Sequence, residues 1–261
     1  MSNALLDSIV DVARQAGAEI LDVYSQPFDV ASKADASPLT QADLRAHKTI
    51  VKALATLTPG VPVLSEEASD IPFEERRQWQ RYWLVDPLDG TKEFVSRNGE
   101  FTVNIALIED HAPVLGVVHV PVKNTTYFGG AGAAFKQAGS ERPVAIHVQT
   151  PPATPLRVVG SRSHASAGSL DEYLDKLGPH TLLSIGSSLK FCFVAEGAAD
   201  FYPRFGPTSE WDTAAAHAVL EAAGGAVIYL QGAPLRYNTK AELLNPHFLA
   251  IGDRSRDWLA R

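Results

Sequence analysis

Between residues 61 and 130 the chain carries five β-rich runs, VPVLSEE, YWLVDP, FTVNIALIE, VLGVVHVP and TTYFGG, separated by short polar or glycine-containing turns. Runs this close imply hairpins and a mostly antiparallel sheet. Ahead of them, Leu5, Leu6, Ile9, Val12, Ala13, Ala16, Ile20 and Leu21 recur at helical spacing, so the chain opens on an amphipathic helix. After the polar loop SKADASP, Thr40 with Asp43 three residues on reads as a capping box, opening a second helix whose apolar residues are Leu44, Ile50, Val51 and Leu54. The prolines of HVQTPPATP (147–155) suit neither a helix nor a central strand. They set a boundary: an N-terminal α+β domain over 1–150 and a C-terminal α/β domain over 151–261. In the latter, RVVGS, LLSIG, FYPRF, AVIYL and FLAIG read as strands. LDEYLDKLG, SLKFCFVAEG and WDTAAAHAVLEAAGG between them read as helices.

Charge and cysteine content narrow the partners. A net charge of −7 makes the surface a poor match for a nucleic-acid polymer, while leaving room for a local basic pocket that takes a small anion. The single cysteine, Cys192, rules out an intramolecular disulfide or a cysteine-built zinc site and fits a reducing compartment. Acids at Asp7, Asp11, Glu19 and Asp22 are unlike a signal peptide, and no apolar run approaches bilayer-spanning length. A cytoplasmic protein is expected, with any membrane association peripheral, on the cytoplasmic face of the inner membrane.

The stretch WLVDPLDGTKEF (83–94) sets two acids on a proline-stiffened corner directly after an apolar run. The expected strand ends at Asp86, Pro87 fixes the turn, and Asp89 follows with Gly90 free to take unusual backbone angles. Two carboxylates brought to one point repel unless a positive charge lies between them, and oxygen-only ligation selects a hard cation such as Mg²⁺. The Leu88 carbonyl at the tip of the turn is a further candidate ligand. A solvated Asp-Pro-x-Asp turn explains the same residues locally.

Two other segments bear on that choice. LSEE ends an apolar strand on Glu66 and Glu67, and SEWDTAAAHA puts Asp212 at the start of a small-residue helix. Exposure at a strand end and N-capping account for each acid alone. Together, acids from three separate element ends are what an open multi-metal phosphate site requires. Gly90 and Thr91 can present main-chain N–H groups to a phosphoryl oxygen, and the Thr91 hydroxyl can orient a water.

LSEE, WLVDPLDGTKEF and WDTAAAHAVLEAAGG, in this order and spacing, resemble the inositol monophosphatase superfamily of Mg²⁺-dependent, lithium-sensitive phosphatases. SKADASPLTQAD, RNGEFTVNIAL, SRSHA and SIGSSLKFCFVAEGAADFYPRFGPTSEWDTAA are similar to its 3′(2′),5′-bisphosphate nucleotidases. The resemblance covers nearly the whole chain and implies a layered αβαβα sugar-phosphatase-like architecture. It implies Glu66, Asp86, the Leu88 carbonyl, Asp89 and Asp212 as ligands of two or three Mg²⁺ ions, with Glu67 further out. By the same resemblance Asp43 bonds Thr91, so that Thr91 and Glu66 orient and deprotonate an attacking water, without a phosphoenzyme. Glu66, Asp89, Gly90, Thr91 and Asp212 would also face the substrate. Ser187 and Lys190, Arg204 and His164 match positions that hold a 5′-phosphate and adenosine in such enzymes. A lysine and an arginine in an acidic protein suit an extra phosphate. The implied substrate is adenosine 3′,5′-bisphosphate, giving AMP and phosphate, with its sulfated precursor a second candidate. A monomer or a homodimer is compatible with the family.

Three alternatives remain open at the level of sequence. A haloacid-dehalogenase-like phosphatase also sets an acid before Asp-Gly-Thr, but spaces its acids by two residues and uses the first as a nucleophile. An inositol or fructose phosphatase would share the metal chemistry but not the basic pocket. A non-catalytic metal- or anion-binding module would keep the acids and turn nothing over.

Overall fold

The computed structural model describes residues 3–26, 38–160 and 169–259. Helices α1 (Asn3–Tyr24) and α2 (Pro38–Leu57) precede β1 (Val63–Ser65), α3 (Phe73–Arg76), β2 (Arg81–Asp89) and α4 (Thr91–Val95). Next come β3 (Thr102–Glu109), β4 (Ala112–Val120), β5 (Thr125–Gly130), β6 (Ala133–Ala138) and β7 (Val144–Ile146). The remainder is β8 (Leu156–Gly160), α5 (Ser169–Leu177), β9 (His180–Ser184), α6 (Leu189–Ala195), β10 (Phe201–Arg204), α7 (Glu210–Ala222), β11 (Ala226–Tyr229) and β12 (Phe248–Ile251).

β1 to β7 form one sheet in chain order, antiparallel throughout except for the parallel pair β1–β2. The hairpin expectation therefore holds, although β6 and β7 extend the sheet beyond the five runs read from sequence. The second sheet, in the order β11-β12-β10-β8-β9, mixes parallel pairs around β8 with antiparallel pairs around β12.

Side-chain alternation turns these sheets into five layers. On β2, Trp83 and Val85 join Val103, Ile105 and Val117 against Ile9, Ala13, Ile20, Ala46 and Ile50 of α1 and α2. Their neighbours Tyr82 and Leu84 point the other way, with period two, into a cluster shared with α6, α7 and the near face of the second sheet, including Tyr202 and Phe248. The far face of that sheet, Val158, Phe201 and Leu249, packs on Leu174 of α5 and on Trp258. The order is the helix, sheet, helix, sheet, helix sandwich expected from the family; its central layer, α6 and α7, comes from the second half of the chain, and the apolar cluster around it draws on both halves.

Two sequence expectations are corrected. Helix α2 starts at Pro38, not after Thr40, so Thr40 lies inside the first turn and not at the position before it; proline suits that start because its missing N–H would be unpaired there anyway. Strand β2 does not end at Asp86 but runs through Pro87 to Asp89.

Candidate metal and phosphate site

Continuing β2 past the proline requires an irregularity. Asp86 pairs with Asn104 and Asp89 with Thr102, so three residue steps on β2 match two on β3. In a regular strand, residues three apart face opposite ways; the extra residue of the bulge returns both acids to one face. The Asp86 carboxylate is then tied back, its Oδ1 accepting the Leu88 N–H at 3.0 Å. Gly90 closes the corner at φ 94°, a conformation that strains any residue with a Cβ, and α4 begins at Thr91.

Asp212 reaches the same point from α7. Ser209, not Asp212, is the helix N-cap; Asp212 lies in the first turn, and its Oδ2 accepts from the Ser209 N–H at 2.9 Å and the Thr208 hydroxyl at 2.7 Å. One oxygen each of Asp86, Asp89 and Asp212 lies within 4.8 Å of the others. Each of these acids also has one oxygen held by protein donors, since Asp89 Oδ2 takes the Ser188 N–H at 2.5 Å. Burial, then the neighbouring acids, push Asp86 far above the carboxylate range; burial and Asp212 raise Asp89 to about 7 against the opposing pull of Lys190 and the Ser188 N–H. Clustered oxygen donors with this excess of negative charge fit a hard divalent cation.

Glu66 follows β1, its N–H donating to the Val85 carbonyl, which brings it beside β2 at the rim of the cluster. Asp43 sits on α2, 7% exposed, and burial with Glu67 and Glu66 nearby raises it to about 8. Thr91 is exposed at the corner. No hydrogen bond joins Asp43 to Thr91 in this structure, so the bond expected from the family resemblance is not made here. Sequence reading set Glu67 further out, and it does not line the cavity described next.

A cavity of about 270 Å³ connects the acids to the second half of the chain, lined by Glu66, Asp86, Leu88, Asp89, Gly90, Thr91 and Asp212, and also by Ser187, Lys190 and Arg204. Ser187 has φ 45°, and its Oγ is buried without a hydrogen-bond partner. Lys190 is 6% exposed; its Nζ donates to the carbonyls of Ser187 at 2.5 Å and Ile185 at 3.4 Å. Burial, then Arg204, lowers it to about 8 in spite of Asp89. Arg204 donates to the Gly206 carbonyl at 3.2 Å and to the Pro207 carbonyl, steadying the loop into Thr208. Both cations thus hold the loops they border while still lining the cavity. His164 lies outside the described residues. Sequence reading passed over Glu93, Tyr202, Thr208 and Trp211, which also line this space. Only Thr208 left a trace, as a hydroxyl four residues before Asp212.

The sequence pattern of the inositol monophosphatase family matches residues 3–256. The chain belongs to that family. Its relatives include the 3′(2′),5′-bisphosphate nucleotidase CysQ of Escherichia coli strain K12, 58% identical over 247 residues, covering 94% of this chain and 98% of that protein. The protein of the same name from Haemophilus influenzae is 40% identical over 261 residues, covering 99% and 96%. Among solved structures, CysQ from Bacteroides thetaiotaomicron, described as a bacterial member of the inositol monophosphatase family, superposes with a TM-score of 0.86 at 44% identity, covering 96% of this chain and 98% of that one. Membership agrees with the layered fold and with an acidic cluster suited to metal. No helix among the described residues is long and apolar enough to cross a membrane.

Proposed function

We propose that this protein is a 3′(2′),5′-bisphosphate nucleotidase, a metal-dependent phosphomonoesterase that converts adenosine 3′,5′-bisphosphate to AMP and phosphate. The observation that carries the reading is the Asp86–Asp89–Asp212 cluster opening into the same cavity as Lys190 and Arg204. Kinship to the nucleotidases of E. coli and H. influenzae supports the substrate.

Asp86, the Leu88 carbonyl, Asp89 and Asp212, with Glu66 at the rim, are the residues we assign to Mg²⁺, two or three ions in all. Bound there, Mg²⁺ supplies neutralisation of the phosphoryl oxygens and leaving alkoxide and a lowered pKa for the attacking water. Thr91 and Glu66 orient that water and Glu66 takes its proton; the water oxygen bonds to phosphorus as the 3′ ester P–O bond breaks in line, and the leaving O3′ takes a proton from solvent to become the 3′-hydroxyl of AMP. The Gly90–Thr91 corner faces the phosphoryl group. Asp43 acts from behind, through the acids it adjoins. Ser187, Lys190 and Arg204 take the 5′-phosphate, an assignment supported by the unpartnered Ser187 Oγ and two cations at one cavity wall. His164 we keep with the nucleoside.

In this reading 1–150 supplies most metal ligands, and 151–261 supplies Asp212 and the 5′-phosphate pocket; a first sheet ending at Ile146 and a second starting at Leu156 support the division. A cytoplasmic setting is supported by the lone, buried Cys192. The test is Mg²⁺-dependent phosphate release from adenosine 3′,5′-bisphosphate beside inositol 1-phosphate and fructose 1,6-bisphosphate, with and without Li⁺. Preference for the nucleotide, lost with Li⁺, is expected; preference for a sugar phosphate would remove the roles given to Ser187, Lys190 and Arg204.

A further inference from the structure

Beneath Asp89 lie three buried side chains that the mechanism above does not use. Thr102 and Asn104, both 0% exposed, stand on β3; Ser188, 2% exposed, comes from the loop before α6 in the other half of the chain. Besides its main-chain bond to Asp89 Oδ2, Ser188 donates its hydroxyl to Asn104 Oδ1 at 2.9 Å and lies 2.9 Å from Thr102 Oγ1. Asn104 Nδ2 points at the same Asp89 oxygen at 3.5 Å, and Thr102 Oγ1 lies 3.5 Å from it.

A buried amide can present either end to a neighbour, and only its NH₂ end suits a carboxylate. The Ser188 hydroxyl occupies Asn104 Oδ1, which turns the NH₂ towards Asp89; the flipped amide would set oxygen against oxygen. The Ser188 N–H and Asn104 Nδ2 then address Asp89 Oδ2 and leave Oδ1 for the cluster, while the Thr102 hydroxyl, donating to Ser188 Oγ, holds that hydroxyl in place. The Ser188 loop is itself docked on the first half, because Glu100 Oε2 accepts the Gly186 N–H at 2.8 Å.

We propose that Ser188 is a positioning residue for the cation site: its hydroxyl, backed by Thr102, turns the Asn104 amide so that Nδ2 joins the Ser188 N–H in fixing Asp89 Oδ2 from the opposite half of the chain, and so orients Oδ1 towards the metal. The proposal rests on the metal-binding reading given above. Partners of metal ligands typically matter by 10- to 100-fold in affinity, because a ligand left free to rotate must be ordered again on binding.

Calorimetric Mg²⁺ titration of wild type, Ser188→Ala, Thr102→Val and the double variant, with thermal unfolding of each metal-free protein, tests it. Mg²⁺ binding should weaken by roughly tenfold in Ser188→Ala, and the double variant should lose less than the product of the single losses, since both side chains act through one hydrogen-bond chain to the Asn104 amide. Wild-type Mg²⁺ affinity in Ser188→Ala, whatever its melting temperature, would overturn the proposal. Should Ser188→Ala fail to fold, Thr102→Val decides alone, by the same weakening or its absence. Absence of Mg²⁺ binding by the wild type would instead overturn the metal reading, and this proposal with it.

Discussion

Gly116 of β4 lies so close beneath Ala215 of α7 that a Cβ added to it would stand 2.0 Å from the Ala215 carbonyl oxygen and 2.8 Å from the Ala218 Cβ. The small-residue helix and the glycine beneath it are one device: they let the element that carries Asp212 press onto the sheet that carries Asp86 and Asp89. Gly116→Ala must push helix or strand away, because the obstacle is backbone. Destabilisation of about 3 kcal/mol, at the upper end for overpacking, should appear as a lower urea midpoint, accompanied by weaker Mg²⁺ binding. A midpoint within error of wild type would show that α7 is not held at this distance in solution.

Arg76, 2% exposed, donates to Asn238 Oδ1 at 2.5 Å, to the Lys240 carbonyl at 3.2 Å and to the Ala241 carbonyl. The segment it grips is stitched in turn to the start of α7: Glu210 N–H donates to the Leu243 carbonyl, Asn238 N–H to Glu210 Oε2, and Asn245 Nδ2 to the Ser209 carbonyl. Arg76→Met keeps much of the apolar stem but leaves one buried acceptor, Asn238 Oδ1, and two part-buried carbonyls without their donor. A loss on the order of 3 kcal/mol is expected, with faster proteolysis between 236 and 245. Unchanged protection there would mean the segment is held by its other bonds.

His119 is buried on β4, hydrogen-bonded to Thr126 Oγ1, with its ring against Gly17 of α1. Burial, then Arg14, pushes its pKa down to about 4. The unfolded chain, with histidine near 6.5, therefore takes up a proton between about pH 6.5 and 4 that the folded protein refuses. Stability from this group is complete above pH 6.5 and is lost as pH falls through that window, by roughly 3 kcal/mol. His119→Gln should flatten the fall in unfolding free energy across these pH values; parallel curves for variant and wild type would assign the fall to other groups.

What the sequence disclosed depended on whether a residue's meaning was local. The Asp86-Pro87-Leu88-Asp89 corner and the small-residue helix behind Asp212 announce themselves by composition, and the structure brings their acids together. The bulge was not legible, since Pro87 reads as a strand end; that β2 continues depends on β3 lying alongside. Strands β6 and β7 were missed because AAFKQA shows no apolar alternation, its Lys136 instead reaching Glu196 at 2.6 Å. Nothing in SSLK distinguishes its two serines. Their roles separate only because Ser187 adopts a positive φ, leaving its Oγ unpartnered while Ser188 turns under Asp89.

Like charges held at the acid cluster oppose folding until a cation arrives. Mg²⁺ should raise the melting temperature of the wild type, as any ligand of the native state does. Asp89→Asn, which removes one of the repelling charges but keeps an acceptor for Ser188, should melt at or above the metal-free wild type and gain less from Mg²⁺. A metal-free variant markedly less stable than wild type would show that the Asp89 charge is satisfied without metal.

The most direct measurement is release of phosphate and AMP from adenosine 3′,5′-bisphosphate by wild type and by Asp89→Asn across a Mg²⁺ series, with EDTA as the zero point. Wild type should release phosphate and AMP in equal amounts only when Mg²⁺ is present, and the folded variant should fall by at least ~10²-fold. Turnover by wild type in EDTA, or wild-type turnover by Asp89→Asn, would contradict hydrolysis at the Asp86–Asp89–Asp212 cluster.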